Sequence, residues 1–196
     1  MTQTLAAQTF GDYPDSLPVG EEYLTLNFSP NSEPRNRRWG NYGLSADFLG
    51  DYFAAFFPGD AVPDNSINQR DTVKAVVSYV ANELIENAVK YSDVSAKLPI
   101  SISLHLYEQE IVFKAVNYAD FAAIESYQLF IRSLLSVEID EFYTQQLEKT
   151  ATGMGSSNMG IVTMMNDYEA RFGWEFRPLT IESDLVQVSV IVRLDV

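Results

Sequence analysis

The sequence predicts a two-layer α/β (α+β) sandwich, with a mixed and mainly antiparallel sheet carrying helices on one face. Three observations predict it. Ile100, Ile102, Leu104 and Leu106 alternate with Ser101, Ser103 and His105, the period of a strand with one buried face. A short turn near Glu108–Glu110 leads into a second apolar run, Ile111–Val116, so the two runs form a hairpin. Val73, Val76, Val77, Val80, Leu84, Ala88 and Tyr91 recur near the helical period, which marks one face of a long helix. Hairpins and amphipathic helices bury their apolar faces against each other as two layers.

The remaining elements follow in chain order. Residues 1–20 are punctuated by Pro and Gly and read as loosely ordered. Tyr23 to Phe28 alternates by type and reads as a strand, and Ser29 to Gly43 reads as a loop. Ser45 is the expected N-cap of a helix carrying Phe48, Leu49, Tyr52, Phe53 and Phe56, which Pro58-Gly59 ends. Asp71 is the expected N-cap of the long helix over 72–91. Two helical pieces fill 121–149, the second with Leu135, Ile139 and Phe142 opposite Glu138, Asp140 and Glu141. A Gly-dense loop from Thr152 to Gly160 precedes a helix over 161–169. Strands near 172–181 and 185–195 close the chain; in the last, Val186, Val188, Val190, Val192 and Leu194 alternate with Gln187, Ser189, Ile191 and Arg193.

Composition narrows the functional classes. A chain of 196 residues with 46% hydrophobic residues buries roughly 70% of its unfolded surface without metal or disulfide staples. With no cysteine it has no disulfide framework, Cys-type zinc site or thiol nucleophile. The net charge of −14 argues against nucleic acid and anionic membranes as partners. No apolar run reaches the ~20 residues of a membrane helix, and the start lacks the features of a signal peptide. The expectation is an acidic cytoplasmic protein.

One constellation carries chemistry. Glu83, Asn87 and Lys90 sit at i, i+4 and i+7 of the long helix and share a face. A carboxylate, an amide and a cation therefore lie in one line, and Asn is a poor helix former with no reason to sit mid-helix. The stretch Asn82 to Ser92 resembles the N-box of the GHKL superfamily, which includes histidine-kinase ATPase domains, anti-sigma-factor serine kinases and gyrase-type ATPases. Chain order adds to the resemblance over residues 65–196. The N-box helix is followed by a hairpin, a lid interval over 118–152, and a Gly-rich loop (Gly153, Gly155, Gly160) opening a helix.

The resemblance implies a Bergerat-like fold, ATP and Mg²⁺ as cofactors, and a role for each matched residue. Asn87 would hold Mg²⁺, Glu83 would act as general base and Lys90 would reach phosphate. Gly153, Gly155 and Gly160 would cradle phosphate with their amides. Asn117 stands where the family carries its adenine-binding Asp, and Ala119 and Phe121 replace that box's glycines. The pattern is nearest to anti-sigma-factor or SiaB-like partner-switching protein kinases.

Two functions follow. The first is an ATP-binding serine/threonine kinase of a bacterial signalling system, acting on a regulatory protein partner. The alternative is a GHKL-like interaction module without nucleotide turnover, for which the aromatic helix near Phe48 suggests a homodimer. Either way the chain divides into an N-terminal extension (1–64) and a GHKL-like body (65–196). The remaining residues read as structural. His105 is exposed on a polar strand face, and Arg35, Arg37 and Arg38 form a solvated basic loop beside Trp39. An ATP site in so acidic a chain needs local compensation from Lys90 and a helix N-terminus.

Overall fold

The computed structural model describes residues 6–18, 20, 22–29, 39–59, 68–151, 158–180 and 184–196. The alternating segments become β1 (Gln8–Gly11), β2 (Glu22–Phe28), β3 (Ile100–Leu106), β4 (Glu110–Asp120), β5 (Arg171–Pro178) and β6 (Leu185–Asp195). The helical segments become α1 (Trp39–Ala54), α2 (Gln69–Lys90), α3 (Phe121–Leu134), α4 (Ile139–Ala151) and α5 (Met159–Asp167). The strands join in the order β1-β5-β6-β4-β3-β2, and every neighbouring pair is antiparallel. The two-layer sandwich expected from the sequence is present. No helix among the described residues is long and apolar enough to cross a membrane.

Register explains why one face is the core. Leu104 pairs with Phe113, which pairs with Val192, and Ile102 pairs with Ala115, which pairs with Val190 and through it with Trp174. A period of two keeps all of these on one side of the sheet. There they meet the buried stripe of α2: Val73, Val77, Val80, Ala81, Leu84, Ile85, Ala88 and Val89. At the sheet's edge α1 runs beside β2, with Tyr42 against Phe28 (ring centroids 5.3 Å apart) and the Tyr52 hydroxyl donating to Glu22 at 3.1 Å.

Helix starts differ from the sequence reading. α1 begins at Trp39, so Ser45 is not an N-cap; its hydroxyl donates to the Asn41 carbonyl within the helix at 2.8 Å. Burial of Tyr42 rewards extending the helix through a stretch that local composition marks as loop. Asp71 is likewise a first-turn residue. The cap is Asn68, whose side-chain oxygen accepts from the Arg70 amide at 3.0 Å.

The opposite face is not open. Val112, Ser189 and Ile191 point away from the helices and are nonetheless buried. β1 and β2 occupy opposite edges, so the chain between them must cross about 24 Å of sheet at ~4.8 Å per strand. Ten extended residues reach roughly 33 Å, which is enough. Over 6–18 and 20 this strap replaces the loose order expected of residues 1–20; residues 1–5 and 19 lie outside the described residues. Gly11 takes a φ of +63° to turn the chain, and the Asp12 amide donates to Phe172 O at 2.8 Å. Tyr107 holds the far end by donating its hydroxyl to Pro18 O at 2.8 Å. Arg171 and Arg193 pair with Glu110, and both also approach Asp12. Burial raises the pKa of Tyr13, partly offset by its hydrogen bond with Ser189. The described residues of 1–64 thus supply both edges of the sheet, the strap and α1.

Gly173 is where the strap comes closest, since a Cβ there would meet Asp12 O at 2.5 Å. Gly173→Ala is expected to lift the strap and destabilise the fold by about 1–3 kcal/mol, the usual range for overpacking. Amide exchange of residues 12–18 should accelerate; unchanged exchange and unchanged stability would count against the strap as a packed layer.

Candidate functional site

The buried stripe of α2 fixes where its polar residues go. Glu83, Asn87 and Lys90 fall on the helix flanks, and the structure sends them to three different surroundings. Asn87 lines a cavity between α2, α3, α5 and the central strands. Lys90 is exposed, with Nζ 5.4 Å from the centroid of the Tyr91 ring. Glu83 turns to α5 and packs against Gly160, where a Cβ would overlap its carboxylate. Burial raises the Glu83 pKa, and the neighbouring charge of Glu86 adds to the shift. Gly160 thus serves close approach in the first turn of α5. Gly153 and Gly155 lie outside the described residues, as do Arg35, Arg37 and Arg38.

Asn117 comes from β4 on the helix-facing side. It is 4% exposed and lines the same cavity as Asn87. Its Nδ2 finds no acceptor among the described residues. Small side chains beside it, Ala115 and Ala119, leave space that larger ones would fill. That space is about 20 Å³, enough for one water molecule.

Two tyrosines close this cavity, and the sequence reading assigned neither to the site. The Tyr91 hydroxyl donates to Asn158 Oδ1 at 2.8 Å, tying the end of α2 to the N-cap residue of α5. Asn158 makes no side-chain capping bond to its own helix. Tyr127 of α3 stacks on Tyr91 with centroids 5.7 Å apart and planes 12° apart. It stacks on Phe130 as well, and its hydroxyl accepts from Trp174 Nε1 at 3.0 Å. Burial raises the Tyr127 pKa strongly, so the phenol stays neutral. Its sequence signal was the spacing of Ile124, Tyr127, Ile131 and Leu134, which marks one face of α3. α3 itself starts where Asp120 Oδ1 accepts from the Ala123 amide at 2.8 Å.

Residues outside the cavity resolve differently. His105 is half-buried rather than exposed, stacked between Tyr23 (5.6 Å) and Tyr107 (6.5 Å). Burial, then the nearby charge of Lys114, lowers its pKa and favours the neutral ring. On α1, Leu49 and Phe53 are buried and Phe48 is 50% exposed, as is Phe56 in the turn that follows the helix. Among the described residues no group of three or more His, Asp or Glu side chains gathers as a metal site.

Fold and site together define an α/β sandwich protein with an asparagine-lined cavity between its sheet and helices. No protein-family model matches the chain, and no curated protein sequence matches it. A chain in the crystal structure of the SiaB-SiaC complex from Pseudomonas aeruginosa matches it in fold. The TM-score is 0.56 at 14% identity, covering 88% of this chain and 89% of that one.

Two predictions test this geometry. Because the Glu83 pKa is raised on folding, the native state holds its proton more tightly than the unfolded chain does. Stability is therefore lost as pH rises through the window above the ordinary carboxylate pKa. Glu83→Gln should be more stable than wild type at neutral pH, and the difference should vanish in acid; a pH series of thermal melts reads it. Tyr127→Ala should lower stability by roughly 3 kcal/mol in urea unfolding, as for other large aromatics lost from packed sites. A loss under about 1 kcal/mol would mean that the ring closes nothing.

Proposed function

We propose that this chain is a regulatory protein of a partner-switching signalling system, and that it acts as a serine/threonine kinase using Mg-ATP. The observation that carries the reading is Asn117, a buried amide whose donor has no partner among the described residues, facing one cavity with Asn87. A buried donor without an acceptor points to a ligand that completes it. The fold likeness to a chain of a two-protein complex supports a partner protein, and the GHKL resemblance of Asn82 to Ser92 supports the nucleotide.

Each residue has a defined part. The Asn87 side-chain oxygen is a hard ligand that suits Mg²⁺, an ion that takes its other ligands from phosphate and water. When bound, the ion would neutralise charge on the phosphates. Lys90 and the first-turn amides of α5 attract the phosphate chain. Glu83, beside that turn, accepts the proton of the partner's hydroxyl as the hydroxyl oxygen bonds to the γ-phosphorus. The bond from that phosphorus to the β,γ-bridging oxygen breaks, and ADP leaves with the electron pair. Its raised pKa brings the Glu83 carboxylate nearer the range of an effective base. The cavity's present volume requires α3 to move off Tyr91 before a purine fits.

That volume favours a second reading, an interaction module that turns over no nucleotide. Exposed Leu44 and Phe48 of α1, with Phe56 in the turn after it, would then meet a partner or a second copy. Calorimetry with Mg-ATP separates the two. The kinase reading expects binding by wild type and at least about tenfold weaker binding by Asn87→Ala, near 1.4 kcal/mol. No binding by wild type, or equal binding by both, leaves the interaction module.

A further inference from the structure

Helix α1 spends one apolar face on the fold and leaves another uncovered. Tyr42, Leu49 and Phe53 are buried, and Gly50 lets α2 come so close that a Cβ there would overlap the Ser78 hydroxyl. The opposite side carries Leu44 and Phe48, where a surface helix normally turns polar residues to water. Leu44, 68% exposed, is the most exposed large apolar side chain among the described residues. Phe48 leans on Tyr52, with ring centroids 6.2 Å apart, and Tyr52 leans on Phe56 at 5.7 Å. Leu44, Phe48 and Tyr52 follow at i, i+4 and i+8, a row about 12 Å long at 1.5 Å per residue, which Phe56 continues past the helix end. Single exposed apolar residues are ordinary, but a contiguous row marks a contact surface.

Charge decides what can cover the row. On the side towards α2, Asp47 and Asp51 lie one turn apart, and Asp71 joins them around Lys74, which pairs with Asp51. On the side towards β2, the Glu22 carboxylate accepts from the Tyr52 hydroxyl. Arg70 lies beyond the helical part of the row, where its Nε donates to the Phe57 carbonyl. The surface is therefore apolar along its middle and acidic along both rims. A second copy of the chain is a poor occupant, because a two-fold contact sets identical patches against each other in a chain of net charge −14. An anionic membrane meets the same repulsion. A helix with an apolar stripe flanked by Lys and Arg matches both features, since its stripe covers Leu44 and Phe48 while its cations reach Asp47 and Glu22. We propose that the exposed face of α1 is a docking site for a basic amphipathic helix of a partner protein. The proposal rests on the reading that α1 meets another protein, which it narrows to one occupant, and it is independent of nucleotide binding.

Two labelled model peptides test it on the full chain. One combines leucine and lysine so that leucines form a single helical face; the other carries glutamate at every lysine position. Fluorescence anisotropy should show wild type binding the lysine peptide at least about tenfold more tightly than the glutamate peptide. Leu44→Ser/Phe48→Ser should weaken binding of the lysine peptide by about tenfold or more. Circular dichroism checks that this double variant folds; should it not, Asp47→Lys serves, with a loss of about threefold or more expected from one reversed rim charge. Equal binding of the lysine peptide by wild type and the folded double variant, or by wild type and Asp47→Lys, overturns the proposal, because attraction to the acidic chain at large then suffices. Equal binding of the two peptides by wild type overturns it as well. A wild-type dimer in sedimentation that the double variant abolishes overturns it too, but leaves α1 as an interaction surface with a second copy on it. Neither peptide binding nor dimer overturns both this proposal and the interaction reading of α1, while the nucleotide reading is decided separately by calorimetry.

Discussion

The packing of α2 on the sheet is the contact from which the rest of the architecture follows. Its buried stripe must lie against the helix-facing residues of β3 and β4 to leave water. Once that stripe is fixed, the helix has no rotational freedom left. Glu83, Asn87 and Lys90 then point where the helical period puts them. Glu83 meets α5, Asn87 meets the cavity and Lys90 meets solvent. One helix is thereby both a main element of the core and the carrier of the candidate site.

This coupling explains which parts of the molecule local sequence could reveal. Strands β3 and β6 announce themselves by alternation, and β4 by an apolar run just after the turn from β3. The stripe of α2 is equally plain, and so is its polar line. What local pattern could not carry is the strap. Its order depends on Phe172 O, on the gap above Gly173 and on Arg171 and Arg193, all more than a hundred residues away. The start of α1 was hidden for the same reason, since Tyr42 is helical because Phe28 receives it. In the site, Asn87 and Asn117 were legible as residue types at fixed places in the chain order. Their convergence on one cavity, and its closure by Tyr127 on Tyr91, depend on how α3 folds back.

The cavity itself holds two opposing demands. The Asn117 amide donor is buried without a partner among the described residues, and a buried donor left unpaired costs about 1–3 kcal/mol in general. The aromatic stack of Tyr91, Tyr127 and Phe130, with Trp174 bonded to the Tyr127 hydroxyl, stabilises the closed arrangement around it. A cavity of this kind is poised rather than inert. Opening α3 would give up ring stacking, a loss that only a ligand satisfying Asn117 would offset.

Electrostatics bears on the same balance. A chain of net charge −14 repels free phosphate, so any anion site must be local. Lys90 is exposed beside Tyr91, at the end of α2 that Tyr91 joins to α5. The first turn of α5 has no side-chain cap from Asn158, and the carboxylate of Glu83 lies against it at Gly160. A helix N-terminus favours a negative group, so Glu83 sits where a phosphate would gain the same dipole. Burial beside Glu86 makes that carboxylate easier to protonate than an ordinary one, which weakens its hold on the position. A phosphate arriving at α5 would compete with a carboxylate already inclined to give up its charge. The raised pKa of this half-buried carboxylate therefore bears on the same helix terminus that an anion would use in an otherwise acidic chain.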